Sequence, residues 1–228
     1  MIQFDHIIHY VNHLDEARKE APLEIHSGGV HKRLGTENLL SYIDTRYIEY
    51  LTIRDRDQFH DHLREAEDSF AKAIHKCNYT EGFIRYALAT DDIVQLCERY
   101  RAQGFKTFGP LYMERETNGE TLRWSLLYIL SETHMFPFFI QWEEDDDARR
   151  ERIRSFGASM EPAEMKITQT VKDAAEWQAF FDVIGIWKGQ VDENTVIEIE
   201  QGDHPDMSIE IGTGGESGDY LGADYKFI

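Results

Sequence analysis

Phe83-Ile84-Arg85-Tyr86-Ala87-Leu88-Ala89, then Thr90-Asp91-Asp92, then Ile93 to Gln103 and Gly104: here the chain begins for a second time a pattern it has already used. The first seven residues are β-prone and apolar. The Thr-Asp-Asp cluster can cap a helix start, the next eleven residues are amphipathic, and a glycine can end the helix. Phe105 to Leu111, Leu122 to Leu130 and Phe136 to Trp142 then read as three strands. Upstream stands the first copy. Phe4 to Val11 is strand-like, Asn12-His13-Leu14-Asp15 turns into a helix, and Gly28-Gly29 breaks the chain. Asn38 to Ile43 and Tyr47 to Ile53 read as a hairpin, and a charged helical stretch from Arg56 to Cys77 connects the copies. The order strand, helix, strand, strand, strand thus occurs twice, about eighty residues apart, a spacing that marks repeated structural units.

Downstream, Glu143 to Pro162 reads as a polar linker or connecting helix, with its acidic run Glu143 to Asp147 at the helix start. The pattern then begins a third time and is shorter. Met165 to Val171 is a strand, Ala174 to Ile184 a helix stopped by Gly185, and Thr195 to Glu200 and Met207 to Ile211 are strands. Gly212 to Gly218 is expected to be turns with weak order, since it has no Lys-Ser/Thr partner and leads into no helix. The expected fold class is α+β: repeated βαβββ units whose mixed sheets pair into a cleft or half-barrel, plus a shorter C-terminal third unit. Residues 1–145 would form the paired domain, and 163–228 would pack on it as a βαβ-type unit. A unit that cannot bury its own sheet face must pair with a neighbour, and the junction is where a small ligand is expected.

Composition narrows the function classes. With 24 basic and 43 acidic residues the net charge is −19. That field opposes nucleic acid and anionic membrane surfaces, so neither is an expected partner. Cys77 and Cys97 lie far from any CxxC spacing and read as reduced thiols. The N-terminus has no signal-peptide pattern, and the expected location is cytoplasmic.

His6 lies early on the first strand and Glu49 in the middle of the fourth, and imidazole with carboxylate suits Fe, Mn, Zn or Ni. Gly28-Gly29-Val30-His31, then Gly35-Thr36-Glu37-Asn38, then Tyr47-Ile48-Glu49-Tyr50-Leu51, and later Phe136-Pro137-Phe138-Phe139-Ile140-Gln141-Trp142, resemble the glyoxalase-like domain family of the vicinal oxygen chelate superfamily. The resemblance covers residues 1 to about 145 by motif and the remainder by pattern. It implies one metal ligand from the first strand and one from the fourth strand of each unit. His6 and Glu49 match in the first unit. In the second, Arg85 or Ile84 falls opposite His6, and Gln141 opposite Glu49. A divalent metal on His6, Glu49 and Gln141 is therefore one expected cofactor.

His31 is the expected general acid or base. Thr36, Asn38, Arg85, Arg123 and Trp124 are expected to contact substrate, with Arg85 either clamping an anion or pairing with Glu49. The expected function is binding of a small, anionic or oxygen-rich molecule in a cleft, with lyase, isomerase or dioxygenase chemistry assisted by a metal. The alternative is a metal-free protein that binds or sequesters a small molecule on the same fold, and a homodimer is the expected assembly.

Overall fold

The computed structural model describes residues 1–117, 120–186 and 189–228. The first unit is β1 (Ile2–Tyr10), α1 (Leu14–Glu20), β2 (His26–His31), β3 (Thr36–Ile43) and β4 (Arg46–Ile53). Two connecting helices follow, α2 (Arg56–Glu65) and α3 (Phe70–Lys76). The second unit is β5 (Gly82–Thr90), α4 (Ile93–Ala102), β6 (Lys106–Thr117), β7 (Glu120–Leu130) and β8 (Phe138–Trp142). Both units join one sheet in the order β2-β3-β4-β1-β5-β8-β7-β6. In each, the first strand runs parallel to the last, and β1 and β5 meet antiparallel at the centre. The two βαβββ copies are thus related across the β1–β5 seam.

The sheet curls until its two edges approach. Arg115 on β6 reaches His31 on β2, with Nη1 3.4 Å from Nε2. The concave face carries apolar residues such as Ile8, Leu51, Phe138 and Ile140, and α2 and α3 close part of it with Phe59 and Ile74. The convex face packs on the C-terminal region, and successive residues of β1 divide between the two cores: Ile8 and Tyr10 face inward, Ile7 and Val11 outward.

Residues 143–162 are more than a connection. Asp145 caps α5 (Asp146–Ser155) by accepting from the Ala148 N–H, and Arg149 and Ile153 are buried one turn apart. Beyond it come β9 (Met165–Val171), α6 (Ala174–Ile184), β10 (Gln190–Asp192), β11 (Thr195–Gln201), β12 (Asp206–Ile211), β13 (Gly218–Tyr220) and β14 (Ala223–Phe227). Asp173 caps α6 through the N–H groups of Ala175 and Glu176, and Gly185 ends it at φ 72°. Its stripe Trp177, Phe180, Phe181 and Ile184 is buried, and Phe180 stacks on Phe136 at 4.7 Å. That helical spacing glues the third unit to the back of the first sheet.

The second sheet has the order β10-β11-β9-β12-β14-β13. Its pairings repeat those of the first: β11 is parallel to β9, β12 antiparallel to β9, and β14 parallel to β12. It contains a third unit short of one strand and a remnant of a fourth without its helix. Of the stretch Gly212 to Gly218 expected as turns, only Gly218 joins a strand, and beyond it β13 and β14 form a hairpin around Leu221 and Gly222, both at positive φ. The missed signal was a Leu-Gly turn, which lacks the asparagine that usually advertises this geometry. No helix of the described residues is long and apolar enough to cross a membrane.

Candidate functional site

A cleft partly open to solvent lies inside the curled sheet, lined by His6, His31, Asn38, Glu49, Trp124 and Arg149 among others. His6 and Glu49 come together as expected, with Nε2 3.6 Å from Oε2. Each is held from behind. Asp5 Oδ1 takes the His6 Nδ1–H at 2.6 Å, which leaves Nε2 as the ring's acceptor toward the cleft. His6 also stacks on Tyr47 at 4.6 Å. Burial pushes the Asp5 carboxyl up, but the Arg149 guanidinium at 2.8 Å, the His6 hydrogen bond and Trp142 Nε1–H pull it down further. The net result is a carboxylate held well below its ordinary range.

Glu49 is oriented through the glycine pair. The Gly29 N–H donates to Asn38 Oδ1 at 2.7 Å, so the Asn38 amide must present Nδ2 on its other side, and Nδ2–H donates to Glu49 Oε1 at 2.5 Å. Gly28 is required by this arrangement, because a Cβ there would lie 2.0 Å from Asn38 Oδ1 and 2.6 Å from its backbone oxygen. Gly28 and Gly29 lie within β2, at a register shift between Ser27 and Val30, where a chain break was expected. They make room for the Asn38 and Arg115 side chains.

His31 lines the cleft and donates from Nδ1 to Thr36 Oγ1 at 2.9 Å, while Arg115 faces Nε2. Burial, opposed by Glu49 and helped by Arg115 and His6, lowers its pKa to about 4. Its neutral form is favoured, with Nε2 the acceptor that meets Arg115. Thr36 positions that ring. Trp124 lines the cleft as expected, against Trp142 at 5.5 Å.

Three expected residues are placed elsewhere. Gln141 points to the other sheet face, where Oε1 accepts from the Ile93 N–H and Nε2–H donates to Asp91 O at the start of α4. Arg85 forms a buried two-pronged pair with Asp68, 2.8 and 2.9 Å, and donates to Phe136 O. It therefore neither clamps a ligand nor meets Glu49. Arg123 is half exposed and faces Glu114. For Gln141 the reason is register, while Arg85 stays on the concave side beside Tyr128 and Phe138 and is captured there by Asp68. Tyr47 pairs with His6 as Phe138 pairs with Ala87, so by pairing Ala87 and Ile140 take the places of His6 and Glu49. Register shifts between Phe4 and His6 and between Ile8 and His9 defeat counting from the helix start, and a slip of one residue turns a side chain to the other face.

This donor set does not fit the metal that the fold implies. His6 and Glu49 offer two atoms, the matching positions of the second unit are apolar, and His31 is engaged with Thr36 and Arg115. A tetrahedral or open catalytic site takes at least three protein ligands. Elsewhere among the described residues His134, Asp173 and Glu176 gather closely enough to share an ion. There, however, Trp177 Nε1–H donates to His134 Nδ1, so the neutral ring carries its proton on the Nε2 that faces Glu176.

The profile of the family described as a glyoxalase-like domain matches residues 4–181. The chain belongs to that family. Among solved structures, a hypothetical protein from Staphylococcus aureus shares 27% identity at a TM-score of 0.84, covering 100% of this chain and 99% of its own. Homoprotocatechuate 2,3-dioxygenase from Arthrobacter globiformis shares 12% identity at a TM-score of 0.50, covering 94% of this glyoxalase-like chain and 64% of the dioxygenase. Methylmalonyl-CoA epimerase from Mycobacterium tuberculosis shares 17% at 0.43, covering 62% and 87%. No curated protein matches the chain. The likeness to the dioxygenase is one of fold, and the chemistry of this chain rests on its own cleft.

Proposed function

We propose that this glyoxalase-like protein binds a small, oxygen-rich anion in the cleft and that His6 and Glu49 move a proton on it. The observation that carries the reading is the pair itself: two acceptor atoms 3.6 Å apart in one cleft, each fixed by a partner on its far side. Two such bases can share one proton. One removes a proton from a carbon beside a carbonyl; the C–H electron pair forms a C=C bond, the carbonyl π pair moves to oxygen, and on the reverse step the proton returns from either base. The product is an isomer of the substrate or the substrate itself, exchanged with solvent. Preorganisation by Asp5 and Asn38 reduces what the pair must rearrange during reaction.

Deuterium uptake from D2O, followed by NMR over a panel of 2-oxo and 3-oxo acids, tests this. The wild type is expected to exchange at least one member, and His6→Ala and Glu49→Gln to lose that exchange while remaining folded. Binding without exchange would favour the metal-free sequestering reading. A metal-assisted lyase or dioxygenase has one observation in its favour, the carboxylate behind His6, an arrangement common to ligating histidines. Uptake of metal by the wild type but not by His6→Ala would support it.

A further inference from the structure

Three guanidinium groups line the cleft, from Arg115, Arg149 and Arg152. Arg149 is paired with Asp5 and Arg152 with Glu144. Arg115 has no carboxylate partner among the described residues, and its buried Nε has no hydrogen-bond acceptor there. Among the described residues its one hydrogen-bonding neighbour is the neutral His31 ring. The chain makes room for it nonetheless: a Cβ on Gly29 would lie 3.0 Å from Arg115 Nη1 and 3.1 Å from Cδ and Cζ. An unpaired buried charge is costly and calls for an anion.

A second chamber, about 240 Å³ and partly open to solvent, adjoins the first and shares Leu34, Phe70, Met113, Leu126 and Tyr128 with it. Beyond them it adds the apolar Phe108, Leu111 and Ala66, with the polar His62, Glu65, Asp68 and Ser69 along its α2–α3 side. The residues Leu111, Met113 and Arg115 alternate along β6, and side chains two apart share a face. They form a rail that begins in the second chamber, passes the shared wall and ends at the free cation. Four residues of strand span about 13 Å, room for a medium-length chain.

Resting on the cleft reading above, we infer that the ligand is an amphipathic carboxylate, its anionic head on Arg115 and its apolar chain in the chamber behind Phe70. Such a molecule matches both features at once, whereas a compact polar anion leaves the chamber unused. The head also lies in the cleft that holds Glu49 and His6, so in a 3-oxo acid the carbon between the two carbonyl groups is the one they would deprotonate.

Isothermal titration calorimetry of the full chain with butanoate, octanoate and dodecanoate, each below its micelle concentration, and with the matching primary alcohols, tests the inference. Affinity for the acids is expected to rise about two- to fourfold per methylene. Arg115→Gln is expected to lower acid affinity by roughly tenfold and alcohol affinity by less than twofold, with Arg115→Lys in between. Leu111→Trp, at a partly exposed position, fills the chamber and is expected to flatten the length dependence while sparing butanoate. Acids of all lengths binding alike would remove the chamber from the site and leave the proton-transfer reading standing. Equal loss of acids and alcohols in Arg115→Gln, or no binding by any acid, would overturn the inference, and the deuterium-exchange panel decides the earlier reading separately.

Discussion

The two units of the first sheet share topology but differ in what they present to the cleft. The first offers a polar relay: Gly29, Asn38 and Glu49 on one side, Asp5 and His6 on the other. At the positions matched by pairing the second offers Ala87 and Ile140, and its buried Arg85 is sealed by Asp68 and flanked by the rings of Tyr128 and Phe138. A duplicated scaffold has become asymmetric, one half carrying the acceptor pair and the other an apolar wall with Arg115 at its edge. The fold alone therefore says how many ligands a site could have had, and only the side chains say how many remain.

The sharpest test of that division is Arg85→Ala. If Arg85 is structural, removing it strands Asp68, and urea unfolding should show a loss of about 3–5 kcal/mol, with carboxylate binding in the surviving fold unchanged. A loss below about 1 kcal/mol, in the range of an exposed pair, would break the comparison.

His9 sharpens it from the other face of β1. There the ring meets Tyr225 Oη at 2.9 Å and Leu221 O at 3.0 Å in the seam with the second sheet. Burial lowers its pKa from 6.5 to about 4, against smaller upward effects of Leu221 O and Asp219. Between those values the unfolded chain binds the proton and the folded chain does not. Stability contributed by the neutral ring is present above pH 6.5 and lost as pH falls toward 4, by about 3 kcal/mol in total. Denaturant titrations at pH 7 and 4 should show a drop that is smaller by that amount in His9→Phe.

Gly28→Ala probes the polar half. The added carbon meets Asn38, so a stability loss of about 1–3 kcal/mol is expected, together with slower deuterium exchange in any substrate that Glu49 serves. A neutral effect on both would detach the glycine pair from the site.

The smallest expected effect concerns metal. A tight site at a hundredfold excess over Kd would add about 2.7 kcal/mol, a shift of several degrees in Tm. With two ligands, thermal shifts of the wild type with Mn, Fe, Co, Ni and Zn should stay below about 1 °C on that scale. Ala87→His with Ile140→Glu, which restores the second half, should raise them.

Much of this was legible in the residues. The repeated strand–helix–strands order gives the first sheet, and His6 and Glu49 meet as their places on the first and fourth strands imply, because parallel neighbours in register bring alternate residues to one face. Asn38, Thr36 and Trp124 also lie at the site. Gln141 does not, because strand periodicity punishes a slip of one residue with reversal of the face, and Arg85 does not, because Asp68 captures it on the cleft side of the sheet. Arg115 and Arg149 carried no sequence signal. The first enters only because the sheet curls until β6 meets β2, the second because a helix that reads as a linker folds back over the cleft. Local propensity and periodicity determined the elements and the polar half of the site. Tertiary structure decided which cations face the cleft and which are neutralised, since charge compensation depends on neighbours as far apart as Asp5 and Arg149, and no local pattern records that distance.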